Sequence, residues 1–271
     1  MRIAFIGGGN MASGLVGGLI SRGWPAGDLV AADPSAVQRQ ALIERFGVRA
    51  TDDNAAAARD ADVIVLAVKP QQMRAVARGL APSLQDRRRL VISVAAGIRL
   101  GDLADWLGPA AAVVRTMPNR PALIGAGVTA LLAHERVSPE ERAVAESILA
   151  ACGATVWVES EAQMDTVTAV SGSGPAYFFL LTEALEEAGS RLGLPPATAR
   201  LLAVETARGA GRLAAESGEA PGTLREQVTS KGGTTAAALS VMDASDLSGI
   251  VVRAVAAAAK RSAELAGPAP D

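Results

Sequence analysis

The chain has 271 residues, 26 of them basic and 28 acidic, for a formal net charge of −2. That length suits about two domains with full cores, and the even charge balance lacks the positive field of a nucleic-acid binder. A single cysteine, Cys152, and a single histidine, His134, exclude a disulfide framework, a thiolate cluster and histidine-based zinc chemistry. No metal site is expected, and a histidine-dependent triad is improbable.

Met1-Arg2 leads at once into Ile3-Ala4-Phe5-Ile6 and a glycine cluster. This reads as a strand and turn, where a signal peptide would show a longer apolar run and a small-residue cleavage site. Short apolar runs at 2–6, 29–32, 63–68, 90–94 and 112–115 predict buried parallel strands, with further edge strands at 127–132 and 155–158. Helical windows at 10–22, 36–46, 71–80 and 139–151 alternate with them. The last has a clear start: Ser138 as N-cap, Pro139 at the first helical position, then Glu140 and Glu141. After about Glu161 the strand-like runs stop. Helices are predicted at 163–189, 196–216, 223–228 and 234–266, with turns at 193–196 and 218–222. The Ala269-Pro270-Asp271 tail is expected to fray. The apolar stretch 250–259 is broken by Arg253 and too short to span a bilayer. A cytoplasmic chain with no membrane partner is expected.

Gly7-Gly8-Gly9-Asn10-Met11-Ala12 follows the first strand and opens the first helix. It fits G-x-G-x-x-[GA]: Gly7 for the tight turn, Gly9 for close approach of a pyrophosphate, Ala12 for helix packing. The helix start then offers unpaired N–H groups to phosphates. The fold class is therefore α/β, with a Rossmann-type parallel-sheet domain over residues 1–160 and an all-helical domain over 161–271. The second strand ends at Asp33, 21 residues past Ala12. An acidic side chain there favours NADH by accepting from a ribose 2′-hydroxyl. Ser35 and Arg39 instead suit the 2′-phosphate of NADPH if Asp33 points elsewhere, and Asp33 alternatively only starts a turn. Lys69-Pro70 and Ala95-Ala96-Gly97 end later strands and should face the same cofactor, because ligands in open α/β sheets lie outside the carboxyl ends of strands. Lys69 reads as a cofactor-edge or structural residue before a catalytic amine. Asn54 reads as a helix cap or an adenosine contact.

Three further stretches are more specific: Met117-Pro118-Asn119, Ser171-Gly172-Ser173-Gly174-Pro175-Ala176-Tyr177, and Thr229-Ser230-Lys231-Gly232-Gly233-Thr234-Thr235. Together with Phe5 to Met11 and Ala67-Val68-Lys69-Pro70-Gln71, they make the chain resemble pyrroline-5-carboxylate reductase from Arg2 to about Leu265. The resemblance implies reduction of the cyclic imine 1-pyrroline-5-carboxylate to proline with NADPH, NADH being possible. It implies cofactor binding by Gly7, Gly8, Gly9, Asn10, Met11, Asn54, Lys69, Pro70, Ala95, Ala96 and Gly97, to which the position after the second strand adds Asp33 and Ser35. It also implies a substrate loop of Ser230, Gly232, Gly233, Thr234 and Thr235, and a homodimer through the helical domain that assembles to a decamer. Two positions depart from the family's usual sequence: Lys231 stands where a proline is usual, and Arg120 where a threonine is usual.

The chemistry asks little of the protein's own acids. Cyclic imines are partly protonated near neutral pH, so positioning matters more than a strong general acid. A glycine-rich loop before a helix can hold a carboxylate on backbone N–H groups, and Thr235 is the hydroxyl assigned beside the imine nitrogen. The alternative for this loop is a helix N-cap with threonines merely capping. Ser171 and Ser173 read as packing residues at a helix start, Tyr177, Phe178 and Phe179 as core or interface, His134 as a loop residue, and Cys152 as a small buried apolar group. Competing functions are a β-hydroxyacid dehydrogenase-like enzyme, which wants a lysine that 163–189 lacks, and a non-catalytic dinucleotide sensor.

Overall fold

The structure, a computed structural model, describes residues 1–267, so the tail expected to fray at 269–271 lies outside the described residues. Strand and helix alternate through the first part: β1 Ile3–Ile6, α1 Asn10–Ser21, β2 Leu29–Ala32, α2 Ala36–Phe46, β3 Arg49–Thr51, α3 Asn54–Arg59, β4 Val63–Leu66, α4 Pro70–Leu80, β5 Arg89–Ser93, α5 Leu100–Leu107 and β6 Ala111–Pro118. β7 Gly127–Ala133, α6 Pro139–Leu149, β8 Gly153–Trp157 and α7 Glu161–Val167 complete it. One sheet runs in the order β3-β2-β1-β4-β5-β6-β7-β8. The first six strands in that order are parallel, β7 runs antiparallel to β6, and β8 runs parallel to β7.

Both faces of the sheet are covered, which is why its strands read as continuous apolar runs. Alternation along β1 sends Ile3 and Phe5 to a core shared with Leu15, Leu19, Leu42 and Ile148. Ala4 and Ile6 go to the opposite core with Ala58, Met73, Ala77 and Leu103. The N-cap expected at Ser138 is present and forms a capping box: Ser138 Oγ accepts from Glu141 N–H at 3.2 Å, and the Glu141 carboxylate accepts from Ser138 N–H at 2.8 Å.

Several predicted elements differ. β3, α3 and α5, of three, six and eight residues, are absent from the sequence reading. The helix predicted at 163–189 is split by a π-helical turn at Thr168–Gly172, after which α8 Gly174–Arg191 begins with Pro175 in its first turn. The helix predicted at 234–266 is two, α11 Thr234–Ala244 and α12 Leu247–Leu265, bent by 53° at a break where Asp246 has φ +52°. Between these lie α9 Pro196–Glu216 and α10 Pro221–Gln227. Among the described residues no single helix is long and apolar enough to cross a membrane.

Contacts divide the described chain into one unit of residues 1–172 with 258–267, and a second of 173–257. The division falls beyond residue 160 because α7 packs on the sheet, with Met164 fully buried against Ala130 and Leu132. The end of α12 also returns to the first unit, where Ser262 Oγ donates to Asp165 at 2.7 Å.

A buried ionic network fixes this junction. Arg115 of β6 is 1% exposed, and its guanidinium pairs with Glu161. Glu161 also pairs with Arg99 at 3.2 Å and accepts from Leu100 N–H at 2.6 Å, while Arg99 reaches Asp165 at 3.0 Å. Burial, and then the neighbouring Arg99 charge, push Arg115 down to about 10. It therefore stays charged at neutral pH and needs its carboxylate. Glu161→Gln keeps the hydrogen-bond acceptor and removes the charge. It should cost about 3 kcal/mol, the low end for breaking a buried pair, because Glu161 retains 30% side-chain exposure. Urea unfolding at neutral pH reads this directly. Arg115→Met added to Glu161→Gln should restore more than half of the loss, whereas a loss below about 1 kcal/mol would mean the pair behaves as a surface one.

Candidate functional site

The six parallel strands end on one edge, and the turns that follow them carry the residues named from the sequence. After β1 the chain turns at Gly7, whose φ of +102° favours glycine. A Cβ there would stand 2.6 Å from the Ala67 carbonyl oxygen, so β1 and β4 approach too closely for any side chain. Gly9 differs. It is the N-cap of α1 with an extended backbone, no side chain caps the helix, and its first turn holds no acidic residue. A Cβ on Gly9 would meet nothing within 4 Å. The N–H groups at the start of α1 thus open onto free space, and Ala12 is fully buried beneath them. Such a helix start favours an anion, so this turn fits a dinucleotide pyrophosphate.

Asp33 follows β2. Its carboxylate accepts from Gly8 N–H and from Ser35 N–H, each at 2.8 Å, and so joins the first two turns of the edge. Ser35 caps α2 by accepting from Gln38 N–H at 3.4 Å. After β3 the cap of α3 is Asp53, which accepts from Ala56 N–H at 3.0 Å. Asn54 is therefore the first helical residue and not the cap, which corrects one of its two expected roles. Lys69 is exposed ahead of α4, with Pro70 at the first helical position. Ala95 is buried, Ala96 exposed, and Gly97 turns at φ +75°. A cavity of about 610 Å³ opens at this end, lined by Pro70, Gln71, Ala96 and Gly97 among others. Gly7 to Met11, Asp33, Ser35, Asn54, Lys69-Pro70 and Ala95 to Gly97 are thus brought to one edge.

Two motifs to which the sequence gave no joint role meet in the first unit. Asn119 donates from its amide to the Ser171 carbonyl at 3.2 Å and accepts from Val128 N–H at 3.0 Å. A Cβ on Gly172 would stand 2.7 Å from the Met117 methyl carbon. Met117-Pro118-Asn119 therefore packs on Ser171-Gly172, and the missing side chain at Gly172 is the signal that marks the contact. Ser171 donates to the Val167 carbonyl at 3.0 Å, a packing role as expected. His134 follows β7, its Nδ1 accepting from Arg136 N–H at 3.2 Å. Cys152 is buried, and burial raises its thiol above the ordinary range.

In the second unit the loop 229–233 leads into α11. Thr229 donates to the Arg225 carbonyl at 2.6 Å, and Gly233 N–H to the Ser230 carbonyl at 3.0 Å. Gly232 has φ +72°, which favours glycine, and Gly233 packs closely on Ser230, where an added Cβ would lie 2.4 Å from Oγ. The N-cap of α11 is Gly233, with no side-chain cap bond. Thr234 and Thr235 are the first two helical residues, and neither hydroxyl acts as the cap. The loop thus presents uncapped N–H groups with hydroxyls beside them. Among the described residues no group of three His, Cys, Asp or Glu side chains is placed to hold a metal ion.

Residues 161–265 match the family model described as pyrroline-5-carboxylate reductase dimerisation, and residues 2–97 match that of NADP oxidoreductase, coenzyme F420-dependent. The chain is 49% identical to the pyrroline-5-carboxylate reductase of Pseudomonas aeruginosa, covering 98% of this chain and 97% of that one. It is similar in structure to a pyrroline-5-carboxylate reductase from Coxiella burnetii, with a TM-score of 0.95, 44% identity, and coverage of 97% and 98% of the two chains. It is also similar to the pyrroline carboxylate reductase of Plasmodium falciparum with NADP bound, with a TM-score of 0.84, 29% identity and 98% of each chain covered.

The two glycines of the first turn should separate folding from binding. Gly9→Val places its side chain in open space on an extended backbone, so thermal stability should stay near wild type. Its Kd for NADPH should rise by about tenfold or more, the loss of at least one phosphate hydrogen bond. Gly7→Ala should instead lose stability, by about 1–3 kcal/mol for the strained backbone alone. Calorimetric titration and thermal melts check both. A Gly9→Val protein with wild-type NADPH affinity would show that the pyrophosphate lies elsewhere.

Proposed function

The chain belongs to the pyrroline-5-carboxylate reductase family, and on that premise we propose that it reduces the C=N bond of 1-pyrroline-5-carboxylate to give L-proline. NADPH is the reductant, with NADH as a possible substitute. The observation that carries this reading is the 49% identity to a relative of that name over 98% of the chain, a span that includes both the glycine turn and the Ser230–Thr235 loop.

The reduced nicotinamide, when bound, supplies the hydride that reaches the imine carbon. The chain's own residues bind and position. Backbone N–H groups at the start of α1 hold the pyrophosphate, and Gly9 leaves room for it. At α11, Gly233 is an uncapped helix start, so N–H groups of the first turn are available to the substrate carboxylate. Gly232 and Gly233 let the loop fold tightly beside Ser230, which places its hydroxyl near the helix start. The Thr235 hydroxyl stands at the second helical position and is assigned to the substrate nitrogen. A protonated imine needs no further acid, which fits a chain whose one histidine is occupied by Arg136.

The second unit exposes an unusual amount of apolar surface. Phe178 is 70% exposed, Phe179 65% and Leu180 66%, and Leu201, Leu202, Ile250 and Val252 add to it from α9 and α12. Large apolar side chains exposed in such number mark interfaces. We assign this surface to a homodimer, with assembly to a decamer beyond it, and the protein to the cytoplasm.

The function is tested by following loss of NADPH absorbance with 1-pyrroline-5-carboxylate, and gain of it with NADP and a 3-hydroxyacid. Only the first should proceed; the reverse pattern would favour a hydroxyacid dehydrogenase. Thr235→Ala should lower turnover by about ten- to a hundredfold, the worth of a hydrogen bond to a charged partner. NADPH affinity should hold, and Thr235→Ser should recover most of the rate. A fully active Thr235→Ala enzyme would remove the hydroxyl from the reaction. For the assembly, sedimentation at micromolar concentration should show a dimer or larger. A 27.5 kDa species would overturn the interface.

A further inference from the structure

At the end of β2 the chain passes through Asp33-Pro34-Ser35 into α2. In a dinucleotide fold this turn reads the adenosine ribose: a carboxylate takes the 2′-hydroxyl and repels a 2′-phosphate, while a guanidinium accommodates the phosphate. Here both oxygens of the Asp33 carboxylate are already engaged by backbone N–H groups at 2.8 Å, one from Gly8 and one from Ser35. Gly8 also packs directly on the side chain, since an added Cβ would lie 3.3 Å from Asp33 Cβ. Asp33 is thus a strut between two turns.

Arg39, one turn into α2, folds back over the same corner. Its Nη1 donates to the Asp33 carbonyl at 2.7 Å and to the Pro34 carbonyl at 3.0 Å. Its Nη2 stops 3.9 Å from the Asp52 carboxylate at the end of β3, beyond hydrogen-bond reach. One guanidinium nitrogen is therefore anchored, and Nε and Nη2 make no hydrogen bond to a described residue. The Asp52 side chain is 72% exposed, so its hold on Arg39 is weak and screened. A fixed fork with an unspent edge matches an oxyanion, and at the ribose end of a dinucleotide that oxyanion is the 2′-phosphate.

We infer that Arg39 is the residue that selects NADPH over NADH in this chain, its Nη2 edge exchanging the loose Asp52 partner for the 2′-phosphate. The inference rests on the reading of the carboxyl edge as the NADPH site. The neighbouring carboxylates act unequally on that phosphate. Asp33 and Asp53 share their charge with backbone N–H groups, whereas Asp52 shares its charge only with Arg39. Asp52 therefore opposes the phosphate twice, by repulsion and by competing for the guanidinium. Arg39 and Asp52 should have opposite effects on selectivity.

The test is calorimetric titration of the full-length protein, without substrate, with NADPH and with NADH. Arg39→Gln should weaken NADPH by about ten- to a hundredfold, the loss of one or two charge-assisted hydrogen bonds, and NADH by less than about threefold. Asp52→Asn should tighten NADPH severalfold and leave NADH unchanged. Equal loss of both nucleotides in Arg39→Gln would make Arg39 a brace for the turn and overturn the proposal, as would no loss of either. If the wild-type protein binds neither nucleotide, the edge itself has been misread and the proposal falls with it. If the wild type binds both and Arg39→Gln changes neither, only the role of Arg39 falls.

Discussion

The contact between Gly7 and the Ala67 carbonyl is the constraint from which the carboxyl edge is built. It draws the end of β1 against the end of β4 with no room for a side chain. The same turn is held on its other side, where Gly7 N–H donates to the Ala32 carbonyl at 2.7 Å. From there the bonds pass outward: Gly8 to the Asp33 carboxylate, Ser35 to the same carboxylate, and Asp33 N–H to the Thr51 carbonyl at 3.0 Å. Three successive strand ends are tied by backbone groups and by one carboxylate that two backbone N–H groups hold in place. A site of this kind is rigid before any ligand arrives, so little ordering remains to oppose binding.

Further along the same edge, at β5 and β6, the organising interaction is charge. Arg115 is buried on a strand whose neighbours are Ala111, Ala112, Val113 and Val114, surroundings that strongly disfavour a lone cation. The cost is offset by recruiting Glu161 from α7, and Glu161 in turn orients Arg99 and the start of α5. Asp165 and Ser262 extend the network to α12. A buried pair contributes little net stability over an apolar substitute but strongly disfavours any arrangement that separates its members. In this chain that property specifies where α7 and the last helix dock, beside the Asn119–Ser171 and Met117–Gly172 contacts that hold the π-helical turn.

What the sequence made legible follows from these two kinds of constraint. Strands buried on both faces announce themselves as apolar runs, and glycines excluded by sterics stand out, so the sheet, the first turn and the α11 loop were all readable. β3 and α3 were not, because three and six residues of mixed or alanine-rich sequence are too few to show a period. Helix breaks at Asp246 and at Thr168–Gly172 were missed for the opposite reason. Apolar spacing continues across them, and the interruptions come from backbone conformation and tertiary contact. Side-chain direction was beyond reach altogether. Asp53 and Asn54 are equally good caps by residue type, and only the chain's path into α3 decides between them.

Asp33 shows why the same limit bears on function. Its position after the second strand makes it look like a ribose ligand, and on sequence alone it argues for NADH as strongly as Ser35 and Arg39 argue for NADPH. The deciding quantity is which N–H groups the carboxylate meets, and that depends on how closely β1 and β2 deliver their turns. Because Gly7 forces the first turn inward, Gly8 N–H comes within 2.8 Å of Asp33. A carboxylate gains more from two fixed backbone donors than from a mobile hydroxyl, since charge-assisted bonds to an ordered partner carry no further ordering cost. The glycine that tightens the first turn thereby also ties Asp33 to Gly8 and leaves the guanidinium of Arg39 as the group with unspent donors at that corner. Cofactor selectivity and pyrophosphate geometry are, in this fold, consequences of one steric exclusion.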